Sequence, residues 1–236
     1  MSLVALGWLA CGLMSANPID LWAALCRPAT AFSWSGAYAA ALFGMWAAMA
    51  LAMMLPTASP MILTYAELAD TAGRVGEYVV SPLILIAGYV AVWLAFAVLA
   101  TGAQMLWGGW ILRQTGTVPP GLAGALIIAG GAYQFSSLKH ACLHRCQRPF
   151  PFFFANWTDR ASGVFKLGLR QGLYCLGCCW VLMLVMFAIG IMNVVWMAVL
   201  GALMTIEKMT TTGRVARALG VCLMAAGAVL AGSELL

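Results

Sequence analysis

Long apolar stretches separated by short polar connections run the length of the chain. Five of them, at 36–56, 79–100, 119–138, 172–206 and 214–234, are long enough to cross a hydrocarbon core of about 30 Å, which takes about 20 helical residues. A shorter apolar stretch, 1–16, lacks the basic start and small-residue cleavage site of a secretory signal. It reads as a short first span ended by Asn17 and Pro18. Prolines punctuate the boundaries: Pro56 and Pro60 close the second span, Pro82 lies near the start of the third, and Pro119 and Pro120 introduce the fourth. The pattern predicts an all-α fold, a polytopic transmembrane helix bundle of about six spans making one integral membrane domain over 1–236.

The stretch 172–206 is too long for one upright crossing, since about 35 helical residues would extend roughly 50 Å. Two full spans would leave no residues for a turn. Gly190 and Asn193 interrupt its middle, which leaves one long, tilted or broken helix, or a span followed by a short interfacial or re-entrant piece; the expectation is one long helix ending near Glu207 and Lys208. Six crossings put the loops 57–78 and 139–171 on one side with Arg74, Lys139, Arg145, Arg148, Arg160, Lys166 and Arg170. Arg27, Arg113, Lys208, Arg214 and Arg217 fall on the other. By the positive-inside tendency the 139–171 loop and both termini face the cytoplasm of a bacterial inner membrane. In that loop Pro149 to Phe154 and Trp157 are interleaved with Arg145, Arg148 and Arg160, a mixture that suits the headgroup boundary and predicts an interfacial aromatic and basic loop in contact with membrane lipid.

Composition sharpens this picture. The chain is 64% hydrophobic and 8% charged, with mean hydropathy +0.96, against roughly 25% charged residues in soluble domains. The net charge of +5 lies largely in one loop and so reports topology; nothing argues for a nucleic-acid partner. Nucleotide loops, serine nucleophile arrangements and intramembrane carboxylate pairs are absent from the sequence, and no enzymatic activity is expected.

The chemistry is concentrated in sulfur. Five of the eight cysteines form two groups: Cys142 and Cys146, interleaved with His140 and His144, and Cys175, Cys178 and Cys179. If 139–146 is helical, Cys142 and Cys146 share a face and the two histidines share a neighbouring one. Cys175 shares a face with Cys178 or Cys179, and the connection returns the chain to the same membrane surface, so the groups can meet. Thiolates with imidazole and thioether auxiliaries suit Cu(I) or Zn(II). Thioethers bind Cu(I) and hardly bind zinc, and Met45, Met49 and Met53 recur every four residues on the second span, which tilts the reading to copper. Met is also adaptable packing material, which that stripe taken alone would equally fit. Cys11, Cys26 and Cys222 stand apart and read as packing. Gln134 and Asn193 would be costly against lipid, and are expected to hydrogen-bond between helices. Lys139 is expected to snorkel, hold phosphate or sit beside a thiolate. Glu67, Asp70, Arg74 and Glu77 read as a solvated connector.

Several stretches carry a resemblance: Met53-Met54-Leu55-Pro56-Thr57 with Pro60-Met61, Gly131 to Gln134 through Lys139, Cys142 and Cys146 to Pro149, and Tyr174-Cys175-Leu176-Gly177-Cys178-Cys179-Trp180 with Met192-Asn193 and Glu207-Lys208. Over about residues 40–210 the chain resembles a bacterial family of integral membrane proteins predicted to bind metal, long classed as a domain of unknown function. That family includes a membrane copper chaperone serving a tyrosinase-type polyphenol oxidase. The resemblance implies copper handling, with the cysteine groups and the Met-rich second span as carriers. Family members often have His where this chain has Gln171, which puts full metal binding here in question.

The leading expectation is therefore a Cu(I) chaperone that passes its ion by ligand exchange to a copper enzyme. Two other classes fit the same residues. One is a membrane thiol–disulfide oxidoreductase using Cys142 and Cys146 with Cys178 or Cys179. The other is a structural subunit of a larger membrane complex in which Cys and Met only pack.

Overall fold

The computed structural model describes residues 8–9, 36–115, 120–188, 194–210 and 213–232. The expected span 1–16 (apart from 8–9), the cysteines Cys11 and Cys26, and Asn193 lie outside the described residues. Among the described residues the elements are helices without strands: α1 (Gly36–Thr57), α2 (Ser59–Arg74), α3 (Pro82–Thr115), α4 (Pro120–Tyr133), α5 (Ser137–Gln147), α6 (Pro149–Ala155), α7 (Ala161–Ala188), α8 (Val194–Met209) and α9 (Arg214–Gly232). Among the described residues, four stretches are long and apolar enough to cross a membrane: α1, Pro82–Leu106 of α3, Ala161–Val185 of α7, and α9. The pair α4 and α5, bent by 58° across Gln134 to Ser136, makes a fifth if it is one broken span. Val98, Leu99, Leu106 and Val229 stand exposed on these helices, an outer surface that suits hydrocarbon and not water.

Small residues set the closest helix contacts, as they do where no water drives helices together. A Cβ on Gly88 of α3 would lie 2.3 Å from the carbonyl oxygen of Phe165 in α7, and one on Gly168 would lie 2.1 Å from that of Leu85. The α4–α9 pair is equally tight, with Gly124 against Gly227. The core is built mainly by α1, α2, α3 and α7 and includes Trp46, Trp93, Tyr65, Tyr89 and, from α6, Phe153. The Trp46 indole donates to Gln104 Oε1 at 2.8 Å, satisfying the polar end of a buried ring.

The structure departs from the expected helix pattern in two places. Helix α7 begins at Ala161, not near 172, so the stretch assigned to the interfacial loop is its first three turns. The reason is periodic: Val164, Leu167, Gly168, Gln171, Gly172 and Cys175 form one buried face, and Lys166 and Arg170 are exposed on the other. Nor is 172–206 a single long helix. Lys208 of α8 hydrogen-bonds Cys175 of α7 at 2.9 Å across a separation of 33 residues, so the chain has doubled back. A continuous helix would hold those residues roughly 50 Å apart.

Doubling back brings the end of α8 and the start of α9 to the end of the bundle where α2, α5 and α6 lie. There Tyr65 of α2 packs edge-on against Phe153 at 5.5 Å and stacks on Trp157 at 5.8 Å, joining the two connections that flank the site. The aromatic run is thus a short helix anchored inward by Phe153, with Phe150 and Phe154 exposed and stacked on its outer side.

Candidate metal centre

Cys175, Cys178 and Cys179 lie on one buried side of α7, because residues three and four apart fall on the same helical face. Their three sulfurs all lie within 4.8 Å of one another, and the group can hold a metal ion. With metal–sulfur bonds of about 2.3 Å, two sulfurs on opposite sides of one ion stand about 4.6 Å apart, so the spacing fits a single ion. The Cys178 and Cys179 sulfurs are 3.1 Å apart, and Cys178 Sγ also donates to the Cys175 carbonyl oxygen at 3.1 Å. No carboxylate joins the cluster, and an all-sulfur set selects a soft ion.

Lys208 supplies the charge. It is buried, and its ammonium donates to Cys175 Sγ at 2.9 Å and to Thr57 Oγ1 at 2.6 Å. Thr57 in turn donates to the Met54 carbonyl oxygen at 2.9 Å, so its hydroxyl is oriented to accept from the ammonium. Tyr89 completes the cage, donating to the Met54 carbonyl at 3.1 Å with its oxygen 2.9 Å from Cys175 Sγ. A buried ammonium with no carboxylate of its own balances the negative charge that a metal-binding sulfur carries.

A second buried ion pair lies beside it. Lys139 of α5, fully buried, meets Glu207 of α8 at 2.7 Å, and the Gln134 side-chain oxygen accepts from the same ammonium. The expectation that Lys139 snorkels is therefore corrected: the bend after Tyr133 turns α5 inward, and Ser136 caps it by accepting from the Lys139 backbone N–H at 3.1 Å. Glu207 and Lys208 were read from the sequence as a helix end; they are buried partners of the two cysteine-bearing helices. Gln147 ties the same ends together, donating to the backbone oxygens of Glu207 at 3.0 Å and Thr210 at 2.7 Å.

The remaining sequence-predicted residues divide clearly. Cys142 lies against Gly177, where an added Cβ would come 2.6 Å from its sulfur, and Cys146 approaches Cys178 as a hydrogen-bonding partner. Both thiols of α5 thus lie against α7 beside the cluster, while the group compact enough for one ion is Cys175, Cys178 and Cys179. His140 and His144 do not join them: both are exposed, because two residues along a helix is a rotation of about 200°, which puts the histidines opposite the cysteines rather than beside them. Met45, Met49 and Met53 are buried in the core along α1, with Met53 facing Gly201 of α8. Cys222 is exposed and apart. Gln171, one turn before Cys175, is buried with its side-chain nitrogen lacking a partner. It lines a cavity of about 260 Å³ that also reaches Cys175, Cys146 and Lys208.

Fold and site together define a class: a helical protein with several helices long and apolar enough to cross a membrane, carrying a buried thiol cluster able to hold a soft metal ion. The particular family follows from comparison. Residues 43–230 match the family model PpoB2, described as a copper chaperone, and the chain belongs to that family. No curated protein and no solved structure matches it.

Proposed function

We propose that this protein is a multi-pass membrane copper chaperone that holds Cu(I) on Cys175, Cys178 and Cys179 and passes it by ligand exchange to a copper enzyme. The observation that carries the reading is the buried all-sulfur cluster beside Lys208 in a chain of the copper chaperone family. Cu(I) prefers few, soft ligands, and three thiols give it two strong bonds with a third sulfur ready to exchange. Zn(II) would want four ligands around one ion, whereas the thiols that all lie within 4.8 Å of one another are three, Cys175, Cys178 and Cys179. The protein stores and hands on an ion without transforming it, and is not an enzyme. Cys142 and Cys146 are auxiliary sulfurs, and the methionines of α1 pack the core.

The fold-back of α8 supports an orientation as well. It moves Lys208, Arg214 and Arg217 to the end that already carries Arg74, Arg145, Arg148 and Arg160, deepening the basic bias there. By the positive-inside rule that end faces the bacterial cytoplasm, and the metal centre lies just within the inner membrane on that side. The cluster then sits in the reducing compartment, where thiols stay free to bind copper.

The test is metal content. Protein purified in mild detergent without oxygen and offered Cu(I) is expected to retain about one copper per chain on the thiol cluster. The Cys175→Ser and Cys178→Ser double variant is expected to retain none. Equal copper in both proteins would overturn the assignment.

A further inference from the structure

The cavity beside the cluster holds residues that the binding site itself does not use. It lies among chain ends, with Thr57 and Pro60 at the turn from α1 to α2, Gln147 at the end of α5 and Met209 at the end of α8. Met209, 69% exposed, forms its rim, and the thioether-bearing Met61 is buried in its wall. Its inner surface is formed by Cys175, Lys208 and Gln171, whose side-chain nitrogen is buried without a partner. The unpaired Gln171 amide facing this space calls for an acceptor, which water entering the cavity would supply. At about 30 Å³ each, its roughly 260 Å³ accommodates on the order of eight molecules.

Cys146 belongs to both spaces. It lines the cavity, and it is a hydrogen-bonding neighbour of Cys178 in the cluster. An aqueous route to a Cu(I) site needs sulfur along it, because Cu(I) moves between proteins by gaining one soft ligand before losing another. Here such ligands occur at the rim, in the wall and at the junction with the cluster.

We infer that this cavity is the route by which Cu(I) enters and leaves, with the thioethers of Met61 and Met209 as outer stations and Cys146 as the relay thiol to Cys178. This rests on the copper-chaperone reading and assigns the path to its site. In the inward step a copper–sulfur bond to Cys146 forms as one to a thioether breaks, and the Cys146 proton passes to cavity water. A bond to Cys178 then replaces the bond to Cys146, which recovers a proton from the water, while Cys178 gives up its own. Copper remains Cu(I) throughout and no electron moves.

The experiment loads the full-length detergent-solubilised protein with Cu(I) and follows extraction by bathocuproine disulfonate, a water-soluble Cu(I) chelator, in stopped flow. Met61→Leu with Met209→Leu is expected to retain wild-type copper stoichiometry and to release it at least tenfold more slowly, and Cys146→Ser is expected to release whatever copper it loads at least tenfold more slowly. Met197→Leu, a buried methionine away from the cavity lining, is expected to release at the wild-type rate. Retained stoichiometry shows that a variant is folded; if Cys146→Ser does not load, the methionine pair decides. Wild-type rates in the methionine pair would overturn the route while leaving the binding site standing. A wild-type protein that binds no copper would instead overturn the underlying function.

Discussion

Lys208 and Cys175 are 33 residues apart and joined at 2.9 Å in the interior, and this single contact both closes the α7–α8 fold-back and charges the metal site. A buried lysine whose partners are a hydroxyl and a thiol, with no carboxylate paired to it among the described residues, is costly to keep charged unless the sulfur opposite is negative. Replacing it by Met keeps the volume and removes the charge. A hydrogen bond to a charged group contributes about 1.5–3 kcal/mol, so Lys208→Met is expected to weaken Cu(I) binding by roughly ten- to a hundredfold. Competition against a chelator of known affinity measures this. An unchanged affinity would mean that the ammonium only fills space.

The neighbouring pair, Lys139 and Glu207, is expected to act on stability rather than on copper. Both are buried, and removing one partner leaves the other charged and alone. Glu207→Gln is expected to cost about 3–5 kcal/mol, whereas Lys139→Met with Glu207→Met together cost far less, because neither charge is then stranded. Thermal unfolding in detergent, compared as a double-mutant cycle, reports the difference. Costs that simply add would show that the two residues do not interact.

Much of this site was legible in the sequence, and the part that was not has one cause. The spacing of Cys142 with Cys146, and of Cys175 with Cys178 and Cys179, states which sulfurs share a helical face, and the loop between the groups is short enough to return. The same arithmetic, applied strictly, would have turned His140 and His144 away. Glu207 and Lys208 were hidden because their role depends on α8 running back to α7, a long-range fact that hydropathy does not encode. A signal was nonetheless present: an apolar run too long for one crossing and too short for two upright ones, ending in two adjacent charges. The start of α7 is masked in the sequence because Lys166 and Arg170 lower the hydropathy of a segment whose other face, Val164, Leu167, Gly168 and Gln171, is buried.

The α3–α7 contact depends on two glycines for a steric reason that can be checked at a control position. Gly168→Ala would force a methyl to within 2.1 Å of a backbone oxygen, and neither backbone can yield without separating the helices. Overpacking of this kind costs about 1–3 kcal/mol or more, and the variant is expected to unfold at lower temperature and lose copper with its site. Gly102→Ala, on the partner helix α3 but with open space around it, is expected to be neutral or slightly stabilising. Equal behaviour of the two variants would remove close approach as the explanation.

Gln171 offers the sharpest test of what the cavity wall contributes to copper binding. It is buried one turn before Cys175, on the wall of the cavity, and its amide nitrogen has no partner. An amide is a poor ligand for Cu(I), whereas imidazole nitrogen is a good one, and a residue four positions before Cys175 projects from the same face of α7. Gln171→His is therefore expected to add a nitrogen donor at the inner end of the cavity and to slow copper release, by roughly tenfold for about 1.4 kcal/mol of added binding. X-ray absorption on the copper-loaded variant would then show a nitrogen scatterer beside the sulfurs that the parent protein lacks. Gln171→Ala is expected to leave stoichiometry unchanged, since the native amide is no ligand. A loss of copper in that alanine variant would make the amide itself part of the site, and the ligand set would then extend from the three thiols to the cavity wall.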